Sequence, residues 1–122
     1  MPYNWGPNYI VPSEVMKSYS GAVQLREELE EDLLRKEMEE LKLSGPIVRI
    51  VNPWYFRRKD TDTWIKIGES SDKQQNFPVR WDTTVLPNGQ YEILGLMHVF
   101  IKRNGGETAI ARQNIVELTV KN

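Results

Sequence analysis

Hydrophobic and polar positions divide the chain into three stretches with different periods. Between residues 13 and 44 the apolar residues recur at helical spacing. Val15, Tyr19, Ala22, Leu25, Leu29 and Leu33 fall on one stripe, and Leu34, Met38 and Leu41 continue on a face rotated by more than a quarter turn. Residues 24–42 contain no Gly or Pro and are rich in Leu, Glu, Lys and Arg, all strong helix formers. Ser13 suits an N-cap, and Gly45-Pro46 suits a stop. The pattern predicts an acidic amphipathic helix over 13–44, roughly 46 Å long if unbroken, with Gly21 as its weak point. The change of face rules out one continuous heptad seam, so the helix is expected to kink or to pack on two surfaces. Those surfaces could belong to its own β domain or to a bundle between chains.

From residue 45 to residue 122 the period shortens and the composition turns to β-branched and aromatic residues. Predicted strands cover 47–51, ending at Asn52-Pro53, then 63–67, ending at Gly68, then 77–81, 91–101 and 107–120. Pro87-Asn88-Gly89 and Asn104-Gly105-Gly106 are turn signals between the last three. Short strands with regular turns point to a β-sandwich, so the expected fold class is mainly β, a sandwich preceded by a long helix.

Residues 1–12 follow neither period. Pro2, Pro7 and Pro12 interrupt them, while Tyr3, Trp5, Tyr9, Ile10 and Val11 make them apolar. They are expected to form an extended aromatic arm that folds back on the β domain or docks on a neighbour, because ordering it must bury those rings somewhere.

Charge sharpens this division. Residues 1–45 hold 5 Lys/Arg and 9 Asp/Glu, and residues 46–122 hold 11 and 8, so an acidic N-terminal part precedes a mildly basic one. The net charge of −1 gives no general attraction to nucleic acid or anionic membrane. The chain has no cysteine, which removes disulfides, thiolate nucleophiles and zinc–cysteine sites. No apolar run approaches ~18 residues, so no membrane-spanning helix is expected. The first residues lack a basic and an apolar signal region, and a cytoplasmic site of synthesis is the expectation.

Candidate chemistry is sparse. His98 is the sole histidine, within a predicted strand and with no triad spacing around it. Asp60-Thr61-Asp62 has a D-x-D spacing but lacks the Gly and distal Glu of a calcium loop. Gly105-Gly106 lacks the strand–loop–helix context of a phosphate loop. Most carboxylates, Glu27, Glu28, Glu30, Glu31, Asp32, Glu37, Glu39 and Glu40, are expected on a solvated helix face. Trp54-Tyr55-Phe56-Arg57-Arg58-Lys59 is the richest stretch, with rings alternating in and out and bases able to pair with acids or stack. A protein partner is expected there first, carbohydrate second and single-stranded nucleic acid a distant third.

The run Trp81-Asp82-Thr83-Thr84-Val85-Leu86-Pro87-Asn88-Gly89-Gln90-Tyr91, followed by a long hydrophobic strand and closing on Leu118-Thr119-Val120-Lys121-Asn122, resembles the bacterial immunoglobulin-like domain over residues 46–122. The resemblance implies an immunoglobulin-like sandwich, a tyrosine corner at Tyr91, and membership of a larger surface, enzyme or phage structural assembly. It thins over 54–76 and does not reach residues 1–45.

The expected function is therefore a non-catalytic structural or assembly protein, with no cofactor or metal, conceivably part of a virion. Partner contact is expected from Tyr3, Trp5, Tyr9, Leu25, Leu29, Leu33, Leu34, Met38, Leu41, Trp54, Tyr55, Arg57 and Arg58, with a homo-oligomer as the expected state. Burying six helix residues yields on the order of 10 kcal/mol against association costs of ~4–15 kcal/mol, so the helix needs the arm or the β domain to assemble. The alternative function is a carbohydrate-binding module using exposed aromatics, among them Trp54, Tyr55 and Trp64.

Overall fold

The computed structural model describes residues 19–27, 29 and 31–122. It is mainly β and sandwich-like, with two antiparallel sheets and one short helix. The larger sheet has the order β3-β2-β5-β6, from Ile65–Ser70 (β3), Ile47–Arg58 (β2), Gly89–Arg103 (β5) and Gly106–Val120 (β6). The smaller sheet pairs Ala22–Leu25 (β1) with Val79–Asp82 (β4). The helix, α1, spans Glu31–Glu40.

The helix expected over 13–44 is corrected by this arrangement. Residues 13–18 lie outside the described residues, Ala22–Leu25 is a strand, and the helix is confined to Glu31–Glu40. Val23 and Leu25 are buried while Ala22 and Gln24 are exposed, so this stretch obeys period 2 as well as the helical period. Pairing decides between them, since Val23 lies opposite Trp81 and Leu25 opposite Val79. Upstream, Tyr19 forms a parallel bridge with Val120. The arm over 1–12, with Tyr3, Trp5 and Tyr9, lies outside the described residues.

α1 begins with Glu31 and Asp32, whose charges favour the positive end of the helix dipole. It also stops before Gly45. Lys42 takes the left-handed conformation at φ 57°, Leu43 N–H donates to Met38 C=O at 2.8 Å, and Lys42 N–H donates to Glu39 C=O at 3.1 Å. That is a Schellman ending with lysine where glycine is the unstrained choice. Lys42→Gly is expected to raise stability by about 0.5–1 kcal/mol, read from urea unfolding midpoints. No gain, or a loss, would mean that the lysine side chain contributes more than its backbone strain costs.

Two strand boundaries also differ from expectation. β2 runs through Asn52-Pro53 instead of ending there. Proline's fixed φ of about −65° is compatible with extended backbone, and its missing N–H interrupts pairing with β5 only locally, between Val51↔His98 and Trp54↔Gly95. Likewise β3 continues through Gly68 to Ser70. The β5–β6 hairpin turns on Asn104-Gly105, both at positive φ as the tight primed turn requires.

The inner face of the large sheet is covered in two halves. Tyr91 and Ile93 of β5, Trp54 of β2, and Leu118 and Val120 of β6 pack with Tyr19, Val23, Leu25 and Trp81. Phe56, Trp81 and Tyr91 are in ring contact there, with centroids 5.6–6.3 Å apart. Farther along β5, Met97, Val99 and Ile101 pack with Phe77 under Leu34 and Met38 of α1. One half is thus roofed by the small sheet, the other by the helix.

Hydrogen bonds close the end near the turn before β5. Tyr91 O–H donates to Pro87 C=O at 2.7 Å. Thr83 O–H donates to Gly21 C=O at 2.7 Å, and Gly21 N–H donates to Asn122 Oδ1 at 3.1 Å. Asn122 Nδ2 donates to Thr83 C=O at 2.7 Å. Asp82 accepts from the Thr84 hydroxyl and amide, and these bonds hold its carboxyl below its ordinary value. The Trp81-to-Tyr91 run and Asn122 therefore tie the N-terminal strand to the rest of the body.

Candidate docking groove

The sequence-predicted contact residues separate into buried and available sets. Leu25, Leu34 and Met38 are core residues, and Leu29 is partly buried against the second cluster. Leu33 and Leu41 are exposed, at 36% and 54%. The helix lies on its own β body, which accounts for the face switch: the Leu34–Met38 side faces the sheet.

In the aromatic–basic stretch, the alternation expected of a strand is present. Trp54 is fully buried, and its indole N–H donates to Phe77 C=O at 3.0 Å. Phe56 points the same way, while Tyr55 is half-buried. Arg57 donates to Glu92 at 2.8 Å, with its guanidinium 4.3 Å from the centre of the Trp64 ring. Arg58 donates to Asn88 C=O at 3.3 Å and lies 5.8 Å from the Tyr91 ring. Further ion pairs join Arg49 to Glu107 and Lys59 to Glu117 across the sheet. Exposed pairs of this kind contribute ~0–1 kcal/mol each. They make the outer face a charge-paired, solvated surface rather than a stacking platform. His98, stacked on Phe100, shares it.

The feature with unmet bonding capacity lies at the start of β2. β3 pairs with β2 only over Asn52 to Phe56. Among the described residues, no strand pairs the corresponding edge of residues 47–51. Register with β5 slips between Ile47 and Arg49, so Val48 is passed over. Ile47 and Val48 are 41% and 43% exposed. Beside this edge runs a groove of about 380 Å³ between α1 and β2, its apolar lining from Leu29, Leu34, Ile47, Val48 and Ile50. Glu31, Arg35, Arg49, Ser71 and Lys73 complete it, with Glu31 and Lys73 joined as an ion pair. An open strand edge offers backbone N–H and C=O groups to any extended peptide that can lie along it.

Sequence reasoning missed one group altogether. Glu27, expected on a solvated helix face, is only 2% exposed. It follows β1 and turns onto the inner face of the large sheet, between the two apolar clusters. Asn114 donates from Nδ2 to Glu27 Oε1. Asn52, fully buried, also approaches the carboxyl but makes no hydrogen bond of ordinary geometry. Gly95 opens the space, since a Cβ there would stand 2.6 Å from Glu27 Oε2 and 3.1 Å from the Trp54 ring. Burial pushes the Glu27 carboxyl up to about 7, against the opposing effect of the Asn114 and Asn52 contacts. Glu27 Oε2, Asn114 Oδ1 and both Asn52 amide atoms lack hydrogen-bond partners, and a neutral carboxyl could donate to one of the amide oxygens. Perturbed acids can mark catalytic sites, but a residue so enclosed is not offered to a substrate. Asn52, Gly95 and Asn114, non-apolar residues at inward-facing strand positions, were the signal available in the sequence. Among the described residues, no group of three or more His, Asp or Glu is placed to hold a metal.

No family model, curated protein or solved structure matches the chain.

Proposed function

We propose that this chain is a non-catalytic assembly or docking protein built on an immunoglobulin-like sandwich, with a protein partner that engages the start of β2. The observation that carries this reading is the open edge of residues 47–51 beside the α1 groove, with Ile47 and Val48 exposed. An exposed apolar strand edge is an aggregation hazard unless something covers it, so its retention favours a cognate partner. Exposed Leu33 and Leu41 on α1 extend the apolar surface. The two-sheet arrangement, the Tyr91–Pro87 bond and the Asn122 links support the immunoglobulin-like reading. A virion setting enters the proposal through the sequence resemblance alone.

The carbohydrate alternative draws less support. Trp54 is fully buried, and one face of Trp64 lies against Arg57, which leaves half-buried Tyr55 as the remaining ring of the three.

Sedimentation of the full chain over a concentration series tests the assembly reading. Self-association is expected, and replacing Tyr3, Trp5 and Tyr9 together by Ser is expected to weaken it at least tenfold without changing the circular dichroism. A monomer at every concentration would remove self-assembly and leave only a heterologous partner.

A further inference from the structure

We infer that the groove beside residues 47–51 receives residues 8–11 of a second copy of this chain, added as a short strand to the open edge of β2. This rests on the self-assembly reading above and names its contact.

Three observations on different parts of the molecule lead here. The first is the vacancy in the pairing: β2 is paired on both sides from Asn52 to Phe56, but over residues 47–51 only the β5 side is paired among the described residues. An incoming strand would continue the row that β3 leaves at Ser70, in the space bounded by α1 and by Ser71 and Lys73.

The second is a match in length and composition. Asn8-Tyr9-Ile10-Val11 lies between Pro7 and Pro12. Proline cannot donate to a ladder, so an added strand drawn from this part of the chain is limited to those residues. That is close to the length of the open edge. Tyr, Ile and Val are strong strand formers, and alternate side chains would find Leu29, Leu34 and Ile50 in the groove.

The third is reach, which selects a second copy over the chain's own segment. Tyr19 is fixed beside Val120, opposite Gly89 at the start of β5. The groove lies at the other end of that strand, where Arg49 pairs with Phe100. At ~3.3 Å per residue, Gly89 to Phe100 is about 36 Å. From Val11 to Tyr19 a fully extended chain spans at most roughly 29 Å. Residues 9–11 therefore fall short of their own groove, while a neighbouring copy carries no such restriction. Because donor segment and acceptor edge are different surfaces, the contact is head-to-tail and closes into a ring or extends as a filament according to its rotation.

Absence of cysteine from the chain gives a clean cross-linking test. Full-length Ile10→Cys and full-length Val48→Cys are mixed, oxidised and run without reductant, beside each variant alone and beside Ile10→Cys mixed with Val85→Cys. Val85 is 79% exposed and precedes β5, at the end of the sheet away from the groove. The expected result is a disulfide dimer in the Ile10→Cys/Val48→Cys mixture, several-fold above both controls, with self-association weakened at least tenfold by Ile10→Pro. The Ile10→Cys/Val48→Cys double variant adds a second readout. Linkage there within one chain only, with none between the mixed variants, would overturn the second-copy assignment. If the wild type sediments as an oligomer but the mixed variants form no link above the controls, the groove assignment is wrong and the assembly reading stands. A monomeric wild type with no link removes both.

Discussion

A chain beginning at Gly45 is expected not to fold cooperatively, although the sequence periodicity places the β domain over 45–122. The shortened chain keeps β2 to β6 but loses both roofs of the large sheet. With β1 and its flank go Tyr19, Val23 and Leu25, and with α1 go Leu34 and Met38, all of them core residues. Burying a large apolar side chain is worth ~1.5–3 kcal/mol, so the loss is on the order of 10 kcal/mol. A domain of this size has a total stability of ~5–15 kcal/mol. The cut also removes the Gly21 contacts of Thr83 and Asn122. Near-ultraviolet circular dichroism and amide NMR dispersion of the truncated chain should show collapse of tertiary order. A sharp, two-state urea transition for that fragment would show that the large sheet holds a sufficient core alone, and the integration of residues 19–40 described above would then be incidental to stability.

The second large effect concerns Glu27, and its sign is the reverse of the common carboxylate case. Its pKa is raised in the folded protein to about 7 from an ordinary 4.5, with burial the main cause. Below about 4.5 both folded and unfolded chains hold the proton, and this group does not oppose folding. As pH rises from there toward 7 the unfolded chain releases its proton while the folded chain retains it, so stability declines. Above about 7 the decline is complete, and at 1.36 kcal/mol per pKa unit it amounts to roughly 3 kcal/mol. Asn52, Gly95, Asn114 and Trp54 surround the carboxyl without offering a compensating positive charge. Arg112, on the neighbouring inward rung of β6, is ion-paired with Glu37 of α1.

Glu27→Gln is expected to remove this slope and to leave the variant more stable than wild type by about 1–3 kcal/mol at pH 8, with little difference at pH 5. Urea unfolding at pH 5 and pH 8 on both proteins is the measurement. Parallel profiles would mean that Glu27 is solvated and ionised in the folded protein. Glu27→Ala should instead destabilise at both pH values, because it leaves Asn52 and Asn114 buried beside a void.

Much of the β architecture was legible in the sequence because local rules and tertiary demands coincide there. The Asn104-Gly105 turn needs two positive-φ residues whatever surrounds it, and the alternation along Tyr91-to-Ile101 can satisfy only one buried face. Tyr91 bonds back to Pro87 over four residues, a distance that local sequence spans. The aromatic alternation at Trp54-Tyr55-Phe56 follows from the two-residue period alone.

What the sequence could not decide by itself were competitions settled by partners distant along the chain. Residues 22–25 fit a helix or a strand, and the presence of Trp81 and Val79 in β4 chose the strand. Pro53 reads locally as a stop, yet the Ser70-to-Ile65 strand and β5 hold β2 together past one missing donor. Glu27 reads as one more surface acid until Asn114, 87 residues away, and the space above Gly95 enclose it. The open edge of residues 47–51 is not encoded in those residues at all. It exists because β3 stops at Ser70, so only the assembled sheet reveals it. Composition, turn chemistry and period determined that the protein is mainly β. Long-range pairing, which weighs one segment's hydrogen bonds and burial against every other's, determined which edge was left to be filled.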